Sequence, residues 1–292
     1  MFKRIIIATD LSKASASLVN CLGGLKAYGT QECLLLQCVS MQESASVALS
    51  YSADVLDNIL NDQKLILERQ GFAVETRIIT GSAKNEINKI AKEEDYSIIV
   101  VGAEKENYLK AHLLGKFAYD VISYAEKPVL LIRLSEKNIE GDVCIESVSC
   151  EIGNHILFPT DFSENAESAF EFLKKMVADG AKKITLVHVQ DKAKIMPHLA
   201  DKLEEFNRID AERLENMKNT LMDCGNAEVD TIIRFGSPAV EILNLVKELN
   251  IQLVIMGSQG RGFVKELFLG SVSNNISRKT DASVLLIPAY RG

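Results

Sequence analysis

Lys3-Arg-Ile-Ile-Ile-Ala-Thr-Asp-Leu-Ser12 returns in the second half of the chain as Asn154-His-Ile-Leu-Phe-Pro-Thr-Asp-Phe-Ser163. The two stretches share Ile5/Ile156, Thr9/Thr160, Asp10/Asp161 and Ser12/Ser163. Further on, Gly81 to Arg133 aligns without a gap to Gly236 to Pro288, pairing Gly81-Ser82 with Gly236-Ser237, Gly102 with Gly257, and Leu114-Gly115 with Leu269-Gly270. Val129-Leu-Leu-Ile132 recurs as Val284-Leu-Leu-Ile287. A repeat of this length means two copies of one structural unit, and 292 residues suffice for two hydrophobic cores. The expected division is residues 1–134, a polar, glycine-bearing linker over 135–153, and residues 154–292.

Within each half, short apolar runs alternate with helical patterns. In the second half the runs are Ile156 to Thr160, Ile184 to Val189, Thr231 to Phe235, Leu253 to Met256 and Val284 to Ile287. They are apolar throughout rather than alternating, which suits strands covered on both faces, and the intervening segments are long enough for crossover helices. Leu199, Leu203, Phe206, Ile209, Leu214, Met217 and Leu221 recur at helical spacing, with Gly225 as the expected stop. Each half is therefore predicted to be an α/β domain with a doubly wound, Rossmann-like, five-stranded parallel sheet.

Composition narrows the function. The basic start is followed by an apolar run, Ile5 to Ala8, that meets Thr9-Asp10 too soon for an export signal, and no run is long enough to span a bilayer. With 33 Lys+Arg against 40 Asp+Glu the net charge is −7 and no basic cluster stands out, which disfavours nucleic acid as a partner. Six cysteines lack a CxxC pair and four histidines complete no ligand pattern with them, so no metal site is expected. Cys33 and Cys38 read as buried thiols in a strand, and the expected compartment is the cytoplasm.

The chemistry is concentrated after the fourth strand of the second half, where Met256-Gly257-Ser258-Gln259-Gly260-Arg261-Gly262 is followed by Gly270-Ser271-Val272-Ser273. The spacing is Gly-x2-Gly-x9-Gly-Ser. Glycines let backbone amides approach a ligand closely, and successive N–H groups make an anion-binding concavity. The helix expected near Asn274 to Thr280 adds its N-terminal amides, and Ser271 and Ser273 add hydroxyls. Without Lys-Ser/Thr after the glycines this is no P-loop, and no GxGxxG follows a first strand. Asp161 either caps the following helix with Ser163 or accepts from a ligand amine; as an anion it belongs at the base or sugar end of a nucleotide, away from phosphates. His188 reads as a packed core histidine.

On these residues the chain resembles the universal stress protein (UspA-like) family as a tandem two-domain member, the second half resembling its ATP-binding branch. The resemblance implies the adenine nucleotide alpha hydrolase-like form of the fold. It implies that Asp161 and the backbone of Val189 hold adenine, that Met256, Gly257 and Gly260 line the nucleotide, and that Arg261, Gly270, Ser271, Val272 and Ser273 meet ribose and phosphates. Thr160 and Gly262 complete the candidate set. It further implies ATP or AMP as cofactor, Mg2+ with ATP, a homodimer, a protein partner and a regulatory role in stress responses.

The first half departs from the pattern. Gly102 and Gly115 are kept, but Lys105, Asn107 and Lys116 stand where the second half has Gly260, Gly262 and Ser271. A Cβ at Lys105 obstructs close backbone approach, so this half is expected to be structural. Two other readings of the whole chain remain open at this level. One is a slow ATPase, for which only Asp161 and Glu266 lie near the loop as carboxylates. The other is a ligand-free dimeric scaffold whose edge strands, 129–132 and 284–287, pair between halves and between chains.

Overall fold

A computed structural model of the chain describes residues 2–10, 13–39, 53–104, 114–139, 142–147, 152–260 and 269–289. The chain divides into two compact units, Met1–Cys150 and Glu151–Gly292.

Unit 1 carries strands β1 (Arg4–Thr9), β2 (Glu32–Val39), β3 (Ala73–Thr80), β4 (Ile98–Glu104) and β5 (Val129–Ile139). They are hydrogen-bonded in the order β3-β2-β1-β4-β5, all parallel. Helices α1 (Lys13–Leu18), α2 (Ala53–Arg69), α3 (Ala83–Glu93) and α4 (Lys116–Tyr124) lie between them in sequence. The stretch expected as a linker carries strand structure. β5 runs on to Ile139, and β6 (Asp142–Ser147) returns antiparallel beside it. Val143 and Ile145 alternate there with Cys144 and Glu146, a period-two pattern too short to stand out within a polar segment.

Unit 2 repeats the plan with β7 (His155–Pro159), β8 (Lys183–Asp191), β9 (Glu228–Gly236), β10 (Leu253–Gly257) and β11 (Ser283–Ile287) in the order β11-β10-β7-β8-β9. All its pairings are parallel. Its helices are α5 (Glu164–Ala178), the short α6 (Lys192–Ile195), α7 (Leu203–Met222), α8 (Pro238–Glu248) and α9 (Ser271–Lys279). The two sheets are the expected doubly wound parallel sheets. In each, the strand order reverses between the first and fourth strands, which opens a crevice at their carboxyl ends.

The continuous apolar runs become buried central strands. β10 and β11 are buried along their whole length, and β7 everywhere but His155. Each fully buried Ile, Leu or Val contributes about 1.5–3 kcal/mol relative to an exposed one. Burial pushes the Cys33 and Cys38 thiols up to about 12, so both are inert at neutral pH. The expected helix before Gly225 ends earlier, at Met222. Gly225 serves a close approach instead, since a Cβ there would meet the Val177 carbonyl oxygen at 2.6 Å. No helix among the described residues is long and apolar enough to cross a membrane.

His155 opens β7 with its Nε2 2.9 Å from the Thr185 hydroxyl. Burial, reinforced by the Lys183 charge, holds its imidazole below the ordinary histidine value. Above the unfolded value of about 6.5 the ring is neutral in both states and its packing contributes fully. As pH falls through that value, the unfolded chain takes up the proton first and stability is lost. Thermal melts should therefore show unit 2 weakening from about pH 7 to 5, with His155→Gln flattening part of that slope. An unchanged slope in the variant would exclude this residue as the source.

Candidate functional site

Every candidate residue that the structure describes lies at the carboxyl ends of β7, β8 and β10 or on the first turn of α9. Arg261 and Gly262 fall outside the described residues, as do Glu266, Lys105 and Asn107.

The turn leaving β7 is built by its own side chains. The Phe162 amide donates to Thr160 Oγ1 (3.0 Å) and the Ser163 amide to Asp161 Oδ1 (3.1 Å). Ser163 is the N-cap of α5, its hydroxyl accepting from the Ala166 amide. Phe162 takes a φ of 58°, in the left-handed region that non-glycine residues rarely occupy. Asp161 fulfils the first of the two readings left open by the sequence, one oxygen helping to order the helix start, while its other oxygen lies against Gly260. A Cβ on Gly260 would collide with Asp161 Oδ2.

The turn leaving β10 is set by Asn165, which sequence reasoning missed. Its Nδ2 donates to the Ile287 carbonyl (3.1 Å) and its Oδ1 accepts from the Gln259 amide (2.9 Å). The Ser258 amide donates to the same Ile287 carbonyl (2.7 Å). Gly257 sits beneath this clamp, where a Cβ would meet Asn165 Oδ1 at 2.6 Å and Cγ at 2.8 Å. Glycine is required there by packing alone.

The two loops meet through the Ser258 carbonyl, which accepts from the Gly270 amide (2.7 Å) and from the Ser273 hydroxyl. Ser273 is buried and knits the loops together, so of the two serines expected as hydroxyl donors Ser271 is the exposed one. Gly270 is the N-cap of α9 with no side-chain cap, and the first intrahelical bond runs from Asn274 to Gly270. The amides of Ser271, Val272 and Ser273 thus have no intrahelical acceptor and make the positive end of the helix. An anion is the natural partner of such a terminus.

His188 is buried in the carboxyl half of β8, beside Val189. Its Nδ1 is 2.8 Å from the Thr160 carbonyl and its Nε2 3.6 Å from Asp210 Oδ2. Asp210, on α7, also accepts from Gln190 (2.9 Å) and is itself buried. It follows Ile209 on the apolar stripe, which hid it in the sequence.

Unit 1 builds its counterpart differently. Its β4 continues through Ala103 and Glu104, paired with Arg133 and Leu134, where the chain of unit 2 has already turned at Ser258 and Gln259. The repeat alignment places Ala14 opposite Asn165, so the side-chain amide that clamps the turn is missing. Lys116, opposite Ser271, is exposed and pairs with Asp120 one turn along (2.5 Å).

The model of the universal stress protein family matches residues 1–133 and 153–288. Universal stress protein MJ0577 of Methanocaldococcus jannaschii is 34% identical over 151 residues, covering 45% of this chain and 93% of its own length. Universal stress protein YxiE of Bacillus subtilis is 28% identical over 146 residues, covering 46% and 98%. The crystal structure of a universal stress protein from Archaeoglobus fulgidus superposes with a TM-score of 0.69 at 23% identity, covering 100% of this chain and 99% of its own.

The two glycines that frame the crevice should separate cleanly by substitution. Gly257→Ala forces its methyl into Asn165 and is expected to destabilise unit 2 by about 1–3 kcal/mol. Gly270→Ala, whose Cβ finds only ordinary contacts at 3.4 Å, should lose less, about 0.5–1 kcal/mol, from the poorer N-cap alone. Denaturant melts in the absence of ligand decide this, and equal losses in both variants would refute the packing account of Gly257.

Proposed function

This chain belongs to the universal stress protein family, and we propose that its second unit binds one adenine nucleotide, ATP, ADP or AMP, in the crevice beyond β7 and β10. One observation carries the reading. Asp161, the Gly257 to Gly260 turn and the uncapped first turn of α9 converge on one crevice, held there by Asn165 and Ser258. A carboxylate at one side and helix amides at the other match a ligand that carries amine donors at one end and phosphates at the other.

In this arrangement the base lies between the Asp161 carboxylate and the backbone of Val189, with Thr160 and Met256 beside it. Gly257 and Gly260 admit the nucleotide close to the backbone. Arg261, Gly262, Gly270, Ser271, Val272 and Ser273 take the ribose and phosphates. A Mg2+ ion accompanying ATP is held by the phosphates, since no cluster of three or more His, Cys, Asp and Glu side chains suited to a metal occurs among the described residues. Unit 1 is the supporting copy. Occupancy of unit 2 alters how a cytoplasmic homodimer associates with a protein partner under stress; regulation through binding, rather than turnover, is the function proposed.

The test is calorimetry on nucleotide-freed protein, with mass spectrometry of what the freshly purified protein releases on denaturation. Wild type should release and rebind an adenine nucleotide. Gly260→Lys, which installs the residue of unit 1, should weaken binding by more than about tenfold through the Cβ conflict with Asp161. Absence of any adenine-nucleotide affinity in the wild-type chain would remove this function.

A further inference from the structure

The ladder between β7 and β8 stops at Pro159–Val187, and the Thr160 amide donates to the Val187 carbonyl as its last bond (2.9 Å). In a parallel ladder the next rung would run from the Val189 amide to the Thr160 carbonyl, and from the Phe162 amide to the Val189 carbonyl. Neither partner is used that way. The Thr160 carbonyl faces His188 Nδ1 at 2.8 Å, and the Phe162 amide turns back to Thr160 Oγ1. We infer that His188 is a positioning residue that ends this ladder one rung early, leaving the backbone pair of Val189 to hydrogen-bond the edge of a purine base. The inference rests on the nucleotide reading of the site.

The ring is fixed from several sides. A carbonyl only accepts, so Nδ1 carries the hydrogen. Nε2 lies 3.6 Å from Asp210 Oδ2, beyond hydrogen-bond distance, and that oxygen accepts from Gln190. One face stacks on Phe162, with centroids 4.7 Å apart and planes 33° apart, and Phe162 in turn lies under the Arg213 guanidinium at 5.1 Å. This column packs the Phe162 ring against His188, and the Phe162 amide is held by the Thr160 hydroxyl instead of reaching Val189. Both ring nitrogens face protein groups, so His188 is not placed to act as a base on water.

Unit 1 supplies an internal control. Strand register places Gln37 where unit 2 has His188, and there the ladder runs one position further, to Thr9–Gln37. Gln37 accepts from the Thr9 hydroxyl (3.1 Å) instead of donating to the Thr9 carbonyl. A ladder continued to that position engages the carbonyl with the amide of the following residue, the counterpart of Val189.

The experiment transplants that residue. In nucleotide-free wild type, hydrogen exchange read by NMR should find the Val189 amide unprotected. His188→Gln should protect it and weaken AMP binding by about tenfold, the effect of one lost base-edge hydrogen bond. His188→Asn, which keeps a donor near the Nδ1 position, should leave the amide unprotected and affinity within about threefold of wild type. A Val189 amide already protected in wild type, or unchanged exchange and affinity in His188→Gln, would overturn the inference. The same follows if the Asn and Gln variants behave alike. Exchange needs no ligand, so it judges the clamp even if wild type fails to bind AMP, a result that would strike the nucleotide reading alone.

Discussion

The site in unit 2 depends on the absence of one methyl group. Because Gly257 has no Cβ, the Asn165 amide can lie directly on the end of β10 and bond both the Ile287 carbonyl and the Gln259 amide. That clamp turns the chain away from the sheet at Ser258. Once turned, the Ser258 carbonyl collects the Gly270 amide and the Ser273 hydroxyl, which places the uncapped end of α9 beside the loop. Remove the clamp and the strand has no reason to stop, as β4 of unit 1 illustrates by continuing through Ala103 and Glu104.

The two units therefore differ in the path of the backbone as well as in side chains. Ala14 in place of Asn165, Gln37 in place of His188 and Lys116 in place of Ser271 each act on a different strand end or helix start. Together they lengthen two ladders and leave the helix start with an exposed, ion-paired lysine. An exposed pair of this kind contributes little to stability. Divergence here reads as a conversion of crevice into sheet.

Much of this was legible in the sequence, for identifiable reasons. The parallel sheets announced themselves because central strands such as Leu253–Gly257 are buried on both faces and so read as unbroken apolar runs. The repeat located the strand ends, and the glycine spacing located the loop. What stayed hidden were side chains whose work is to hold backbone. Asn165 sits inside a helix start that looked ordinary, Asp210 beside an apolar stripe, and His188 within a buried strand, where a packed histidine is the simplest reading. Nothing in residue type or spacing distinguishes an amide that clamps a turn from one that faces solvent. The comparison Asn165/Ala14 held the only sequence signal, and it becomes meaningful once Gly257 is known to lie beneath.

Gly270 completes the argument by contrast. Gly257 is needed by the fold, because Asn165 fills the space a side chain would take, and Gly260 is needed because Asp161 does. At Gly270 the backbone is extended, with a φ of −71°, and the nearest atoms stand at ordinary contact distance. The protein itself therefore gives no steric reason for glycine at the N-cap of α9, where serine, asparagine or aspartate would cap the helix better. A glycine that neither packing nor backbone conformation requires, placed where a helix presents unsatisfied amides, fits the proposed nucleotide, whose phosphates would approach those amides from outside the chain.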